Sequence, residues 1–124
     1  MKLQLLEPAF TVCQLDSIAD ANLSAAFTFL SRTDEEISLV CPTDHCPVGA
    51  KNRQDGWKCL RVVGVLDFSL VGILARIADC LAKAQVPLFA VSTYNTDYIL
   101  FREEHALAAL EALKAAGYEI EVET

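Results

Sequence analysis

The chain has 124 residues, of which 53% are hydrophobic, and its net charge is −7. This length predicts one domain or two small subdomains that share a core. The high apolar fraction favours association of subunits, because a monomer of this size buries only about two-thirds of its extended-chain surface. The acidic balance disfavours a nucleic-acid partner, which would require a basic face.

The sequence predicts a cytoplasmic protein that does not contact a membrane. No apolar stretch reaches the roughly 20 residues of a membrane helix, and Glu7 and Pro8 interrupt the apolar run that a signal peptide would keep. The number of cysteines is odd, and Cys13, Cys59 and Cys80 lie in apolar or helical patterns, so no disulfide framework is expected.

Short strands separated by turns are predicted in the first half of the chain. A short turn or helix is expected from Ser17 to Asn22. Residues 42–56 follow as a polar connector that is rich in turn-forming residues. The four predicted strands lie in the segments KLQLL, AFTVCQL, AFTFLSRT and EEISLVC.

The segment CPTDHCP contains four potential metal ligands within six positions: Cys41, Asp44, His45 and Cys46. A closed zinc site needs four ligands, which commonly come from two separated pairs, and no second pair follows here. A lone thiol beside a histidine also lacks the third member of a catalytic set. We therefore expect a solvated connector without a cofactor, and a metal site is the less favoured alternative.

The clearest helical pattern lies in SLVGILARIADCLAKA, directly after the predicted strand WKCLRVVGV. Ser69 is a suitable N-cap, and Pro87 prevents the helix from continuing. The apolar residues of this helix follow the i, i+3, i+4, i+7 spacing and comprise Leu70, Ile73, Leu74, Ile77, Ala78 and Leu81.

The segment LFAVSTYNTDYILF predicts two strands around a polar turn. A second helix follows, with Leu107, Leu110 and Leu113 on one stripe and Gly117 at the C′ position. YEIEV then alternates as a last strand. Residues 57–123 therefore predict the order βαββαβ, with helices on one face of a sheet.

The two halves of the chain each contain one polar hairpin. An ungapped alignment of residues 27–41 with residues 88–102 places Glu36 against Asp97 and matches apolar ends with apolar ends. In this alignment Ser31 matches Ser92. A degenerate internal repeat and two unrelated hairpins explain the alignment equally well.

The turn before the first helix and the second hairpin could together hold a free amino acid. The first turn of a helix exposes unpaired amides, so the amides of Leu70 to Ile73 could bind a carboxylate while Asp97 binds the ammonium group. In the structural alternative, Asp67 or Ser69 caps the helix and Asp97 only starts a strand. Residue chemistry alone favours the structural alternative.

The motifs DFSLVGILA and STYNTDYIL, with EEISLVCP and LQLLEPAFTVCQL before them, resemble the ACT-domain branch that includes cytosolic arginine sensors of the TOR pathway and small bacterial proteins. The resemblance implies an α+β fold with a ferredoxin-like ACT domain at residues 57–124. It also implies a degenerate ACT-like subdomain with a connector at residues 1–56. The site residues that it implies are Asp67, Phe68, Ser69, Leu70, Val71, Gly72, Ile73, Thr93, Tyr94, Thr96 and Asp97.

The resemblance implies binding of a free amino acid at an interface between ACT units, without catalysis by the module. The arginine sensors repeat the whole arrangement in a longer chain, so this single complete copy would require a homodimer. Such a sensor would act on a regulated protein partner. One alternative is a protein-interaction module whose ligand site has decayed. A phosphate hydrolase on the same scaffold is disfavoured, because VLDFSLVG contains no arginine to hold the phosphate.

Overall fold

The structure is a computed structural model that describes residues 1–64 and 71–123. The chain divides into two compact units. We call Pro8–Trp57 the N-terminal unit, and Met1–Glu7 together with Lys58–Thr124 the C-terminal unit. This division differs from the predicted one, because the first seven residues group with the C-terminal half instead of with residues 8–56.

Four strands build the N-terminal unit in the order β3-β4-β2-β5, and each neighbouring pair is antiparallel. This is the strand order of a βαββαβ sheet. Short 3₁₀-helices, Ile18–Asp20 and Thr43–His45, stand where that pattern would have α-helices. The strands are β2 (Phe10–Gln14), β3 (Phe29–Arg32), β4 (Ile37–Pro42) and β5 (Lys51–Val62), whose last residues belong to the C-terminal unit.

The C-terminal unit contains an additional strand, which the sequence predicts in KLQLL but does not place in this unit. Strand β1 (Lys2–Leu5) pairs antiparallel with β5 and parallel with β8 (Glu119–Val122). It therefore lies between the first and the last strand of the predicted βαββαβ pattern. On the other side, β7 (Asp97–Arg102) pairs with β5 and with β6 (Phe89–Ser92).

Two helices, α1 (Ile73–Lys83) and α2 (Ala106–Ala115), pack on the sheet of the C-terminal unit and give the α+β fold that the sequence predicts. In residues 1–64 and 71–123, no helix combines the length and the apolar character needed to cross a membrane. The core of this unit comprises Leu3, Leu60, Val62, Ile77, Leu81, Val86, Ile99, Phe101, Ala109 and Leu113.

The ends of the helices differ in part from the prediction. Helix α1 begins at Ile73 with Gly72 as its N-cap, and Ser69, the predicted N-cap, lies outside the described residues. Gly72 has φ of 81°, a left-handed conformation that a glycine adopts without steric cost. Helix α2 ends as predicted: Gly117 has φ of 99°, and the Tyr118 amide donates to the Leu113 carbonyl at 3.1 Å.

The predicted stripe of α2 is wrong at one position. Leu113 is fully buried, but Leu107 is 72% exposed. The stripe that faces the core comprises Ala106, Ala109, Leu110 and Leu113, because alanines occupy the inward positions of the first turn.

The predicted connector at residues 42–56 is also wrong in part, because β5 begins at Lys51. The first five side chains of this strand are all exposed. Because neither face of the strand is buried there, its sequence does not alternate between polar and apolar residues. Asn52 with φ of 49° and Gly56 with φ of 84° interrupt the regular backbone, and the register with β2 shifts twice. An exposed and irregular strand therefore has the composition of a loop.

The register of the two hairpins corrects the predicted alignment by one residue. Arg32 pairs with Ile37 in the first hairpin, and Ser92 pairs with Asp97 in the second. Equivalent positions therefore differ by 60 residues instead of 61, so Glu36 is equivalent to Thr96. A shift of one residue moves every side chain to the opposite face of a strand.

Candidate functional site

The structure describes seven of the eleven predicted site residues. Three lie at the start of α1, three lie in the turn between β6 and β7, and one is the first residue of β7. The other four, Asp67, Phe68, Ser69 and Leu70, lie outside the described residues. The seven described residues are Val71, Gly72, Ile73, Thr93, Tyr94, Thr96 and Asp97.

A threonine closes the turn between β6 and β7. The Thr93 amide donates to the Thr96 carbonyl at 2.9 Å, and the Thr93 hydroxyl donates to the same carbonyl at 3.0 Å. The Thr96 amide approaches the Thr93 hydroxyl oxygen at 3.4 Å. A hydroxyl that bonds to nearby backbone groups is a common turn device, and it fixes the backbone directly before Asp97.

Thr96 ties this turn to the end of β5. Its side chain is only 5% exposed, and its hydroxyl donates to the Val62 carbonyl at 2.6 Å. The connection from β5 to α1 begins directly after Val62. Thr96 therefore positions the hairpin beside the start of that connection, and its own hydroxyl proton is already used.

Asp97 is the first residue of β7, and its side chain is half-buried. One of its carboxylate oxygens, Oδ1, accepts a hydrogen bond from the Ser92 hydroxyl at 2.6 Å, so the carboxylate is held in one orientation. Among the described residues, Asp97 takes part in no ion pair. A carboxylate has about four acceptor sites, so this one retains capacity for a cation.

The start of α1 presents donors for an anion. The first intrahelical bond runs from the Arg76 amide to the Gly72 carbonyl at 2.9 Å, so the amides of Gly72 to Ala75 have no acceptor within the helix. The Arg76 guanidinium also folds back, and three of its atoms lie 3.7 Å from the position of a Cβ atom on Gly72. A formal positive charge therefore accompanies the positive end of the helix dipole.

Sequence reasoning missed Arg76, because it treated charged residues on this helix only as its polar face. The sequence does contain an indication of this contact, because Arg76 lies four residues after Gly72, a glycine that could cap a helix. From that position a long side chain reaches back over the first turn.

Two large side chains at these segments are exposed to an unusual degree. Val71, directly before the N-cap of α1, is 80% exposed, and Tyr94, in the turn of the hairpin, is 79% exposed. Exposed apolar and aromatic side chains beside polar groups are typical of surfaces that contact a ligand or a partner.

An open groove with a volume of about 690 Å³ also lies in the C-terminal unit, along the two helices. It is lined by Arg76, Asp79 and Lys83 of α1 and by Ala112 of α2, and Tyr118 lies beside them. The Lys83 ammonium pairs with the Asp79 carboxylate at 2.9 Å. None of the seven described site residues lines this groove, but Arg76 belongs both to its lining and to the start of α1.

The prediction that the segment CPTDHCP is solvated is wrong for its two cysteines. Cys41 is buried on β4, and Cys46 is half-buried and packs against the core of the N-terminal unit. Within residues 1–64 and 71–123, no group of three or more histidine, cysteine or acidic side chains could hold a metal ion.

Comparisons with known proteins agree with this fold. A family model described as ACT domain matches residues 52–115, from the second residue of β5 to the end of α2. A crystal structure of an Agobacterium tumefaciens protein superposes with a TM-score of 0.87 at 28% sequence identity, covering 99% of this chain and 93% of that protein.

Two further solved structures share the fold at lower identity. A Vibrio cholerae protein has a TM-score of 0.70 at 20% identity, covering 90% of this chain and 85% of that one. The regulatory subunit of aspartate kinase from Thermus thermophilus has a TM-score of 0.65 at 14% identity, covering 93% of this chain and 96% of that subunit. The family match extends over more than half of the chain, and the chain therefore belongs to the ACT-domain family of regulatory modules.

Proposed function

We propose that this chain senses a free amino acid at an interface between ACT units of two protomers, and that it regulates a protein partner without catalysing a reaction. The observation that carries the proposal is the state of Asp97. Its carboxylate is half-buried, oriented by Ser92, and located on a hairpin that Thr96 fastens to the end of β5.

Asp97 would bind the ammonium group of the ligand. A carboxylate that is already oriented loses little freedom when it binds a cation. Partial burial reduces the competition from water and strengthens the bond. A charge-assisted hydrogen bond of this kind contributes about 1.5–3 kcal/mol.

The start of α1 would bind the carboxylate of the ligand. The amides of the first turn, which have no acceptor within the helix, and the Arg76 guanidinium both favour an anion. The connection to α1 begins beside the hairpin. Asp97 and the start of α1 therefore complement the ammonium group and the carboxylate of an α-amino acid, which either one protomer or two protomers together would bind. Asp67 or an acid of the second protomer would select the side chain of the ligand.

A second protomer would complete the site. Val71 and Tyr94 are strongly exposed at the two segments concerned, which supports a surface that a partner covers. In the described part of the chain, β6 pairs with β7 alone, so it lies at an edge of the sheet where a second sheet could pair. A homodimer through this region remains part of the proposal, as does a cytoplasmic location.

The test is a panel of melting curves with each of the twenty amino acids, followed by calorimetry with any amino acid that raises the melting temperature. Asp97→Asn should weaken the binding of that ligand by about 2–5 kcal/mol, or roughly 30- to 5,000-fold, because a charge loses its partner. Glu36→Gln is the matched control, since it removes one negative charge from the other hairpin and should leave the affinity unchanged.

The decayed interaction module makes the opposite prediction. It would show no binding heat and a constant melting temperature with all twenty amino acids at millimolar concentration. Equal affinities of Asp97→Asn and the unmodified protein would remove Asp97 from the site even if an amino acid binds.

A further inference from the structure

Three of the five cysteines lie together in the N-terminal unit, and the proposed amino-acid site uses none of them. They come from different elements of the chain. Cys13 lies on β2, Cys41 lies on β4, and Cys46 is the C-cap of the 3₁₀-helix Thr43–His45. We call these residues the thiol cluster.

The register of the sheet explains why two of the thiols are neighbours. Cys13 pairs with Leu39 and Thr11 pairs with Cys41, so Cys13 and Cys41 occupy diagonal positions on the same face of the β2–β4 pair. Both belong to the buried core of the unit, and Cys46 packs against that core.

The three thiols differ in their access to solvent. Cys13 and Cys41 are buried, whereas Cys46 is half-buried. Burial, with a smaller contribution from Cys46, raises the pKa of Cys13 to about 11 and that of Cys41 to about 12. Both buried thiols are therefore protonated at neutral pH and shielded from a dissolved oxidant, and Cys46 is the member of the cluster that such an oxidant reaches.

We propose that the thiol cluster is a site of reversible oxidation, at which Cys46 forms a disulfide with Cys13 or Cys41 when the chain meets a hydroperoxide. Thiols that share one core cluster, as these do, need only a limited movement of the backbone to form such a bond. In an intracellular protein, a disulfide of this kind is usually transient and sensitive to redox conditions.

The proposed oxidation takes place in two steps, formation of a sulfenic acid and then of a disulfide. The Cys46 thiolate attacks the outer peroxide oxygen, the O–O bond breaks, and the alkoxide leaves with a proton as an alcohol, or as water from hydrogen peroxide. The resulting Cys46 sulfenic acid is then attacked by the sulfur of Cys13 or Cys41. The S–S bond forms, the hydroxyl leaves with the thiol proton as water, and two thiols have lost two electrons to the peroxide.

The two possible bonds differ in their effect on stability. A Cys13–Cys46 bond closes a long loop that contains β3 and β4, whereas a Cys41–Cys46 bond closes a short one. Loop closure constrains the unfolded chain more strongly when the loop is long, so we expect the first bond to raise the melting temperature by roughly 5–15 °C. The second bond should raise it by less.

The test treats the full chain with hydrogen peroxide and measures the intact mass and the number of thiols that iodoacetamide modifies after denaturation. We expect a loss of two mass units and a decrease from five modified thiols to three, both reversed by a thiol reductant. Cys46→Ala and the double variant Cys13→Ala/Cys41→Ala should each abolish the loss of mass. Cys80→Ala is the matched control, because Cys80 is also half-buried but lies on α1, apart from the cluster in sequence and unit.

Peptide mapping of the oxidised unmodified protein tests the proposal without any variant. It should recover a cross-linked pair that contains Cys46 and either Cys13 or Cys41. Five remaining thiols, a product oxidised at Cys46 without a cross-link, or a bond that involves Cys80 would each overturn the proposal.

Discussion

The hairpins of the two units have the same backbone turn but different side chains at its end. The Thr33 amide donates to the Glu36 carbonyl at 2.9 Å, and the Thr93 amide donates to the Thr96 carbonyl at the same distance. Glu36, however, is exposed and accepts a hydrogen bond from Gln14, whereas its equivalent Thr96 is buried. The threonine at the start of each turn preserves the backbone. The residue three positions later determines whether the turn remains at the surface, as with Glu36, or is fastened to β5, as with Thr96.

The segments after the two hairpins differ in the same way. A 3₁₀-helix follows β4 at Thr43–His45, and another follows β7 at Glu103–His105. The second continues into α2, which contains alanine and leucine in its first turns. The first stops at Cys46, because Pro47 lacks the amide proton that a continuing helix would need. Pro47 therefore accounts for a turn in the N-terminal unit at the place where α2 begins in the C-terminal unit.

The largest expected effect concerns the helix that the N-terminal unit lacks. Leu113 of α2 is fully buried, so Leu113→Ala should lower the free energy of unfolding by about 2–5 kcal/mol in urea denaturation. Leu107→Ala, on the exposed face of the same helix, is the control and should change it by less than about 0.5 kcal/mol. Equal effects of the two variants would mean that the buried face of α2 contributes no more to stability than its exposed face.

The next largest effect separates the ends of the two hairpins. Thr96→Val removes the donor that satisfies the Val62 carbonyl and should cost about 1–3 kcal/mol of unfolding free energy. It should also increase hydrogen exchange at the amides of β7. Glu36→Val changes the equivalent exposed position and should cost less than about 0.5 kcal/mol. A similar loss in both variants would contradict the assignment of Thr96 as the residue that fixes the hairpin.

The third prediction concerns the unfolding free energy after a glycine in each unit is replaced by alanine. Gly117 has a positive φ and no heavy atom within 4 Å of an added Cβ atom, so Gly117→Ala should cost about 1–2 kcal/mol from backbone strain alone. Gly49 has no such φ, and an added Cβ atom would lie 3.5 Å from a carboxylate oxygen of Asp20, which is an ordinary contact. Gly49→Ala should therefore be neutral or slightly stabilising in thermal unfolding.

Much of the C-terminal unit could be predicted from the sequence, because burial there leaves a periodic pattern. The strands of the second hairpin and the end of α2 at Gly117 appear where the pattern predicts them. The place of β1 could not be predicted, since its partners lie more than 50 residues away and strand pairing leaves no local signal. The first part of β5 was missed for a different reason, because its exposed polar residues resemble a loop.

The candidate site shows the same limit. The pattern of polar residues between two apolar segments predicted the hairpin to which Asp97 belongs. It did not predict that Ser92 orients Asp97 or that Arg76 folds back over Gly72, because both contacts depend on the exact register of a strand and the exact start of a helix. Sequence reasoning therefore proposed the segments of the candidate site but did not predict the contacts within them.

The smallest expected effect tests the register itself. With equivalent positions 60 residues apart, Thr33 and Thr93 play the same part, and Thr33→Ala and Thr93→Ala should each cost about 0.5–1.5 kcal/mol in denaturant unfolding. Each variant should also speed hydrogen exchange in its own turn. Glu35→Ala and Asn95→Ala, at the exposed equivalent positions two residues later, serve as controls and should change stability by less than about 0.5 kcal/mol. The ungapped alignment would instead match Thr33 with Tyr94, and a loss in only one of the two threonine variants would mean that the hairpins are not equivalent.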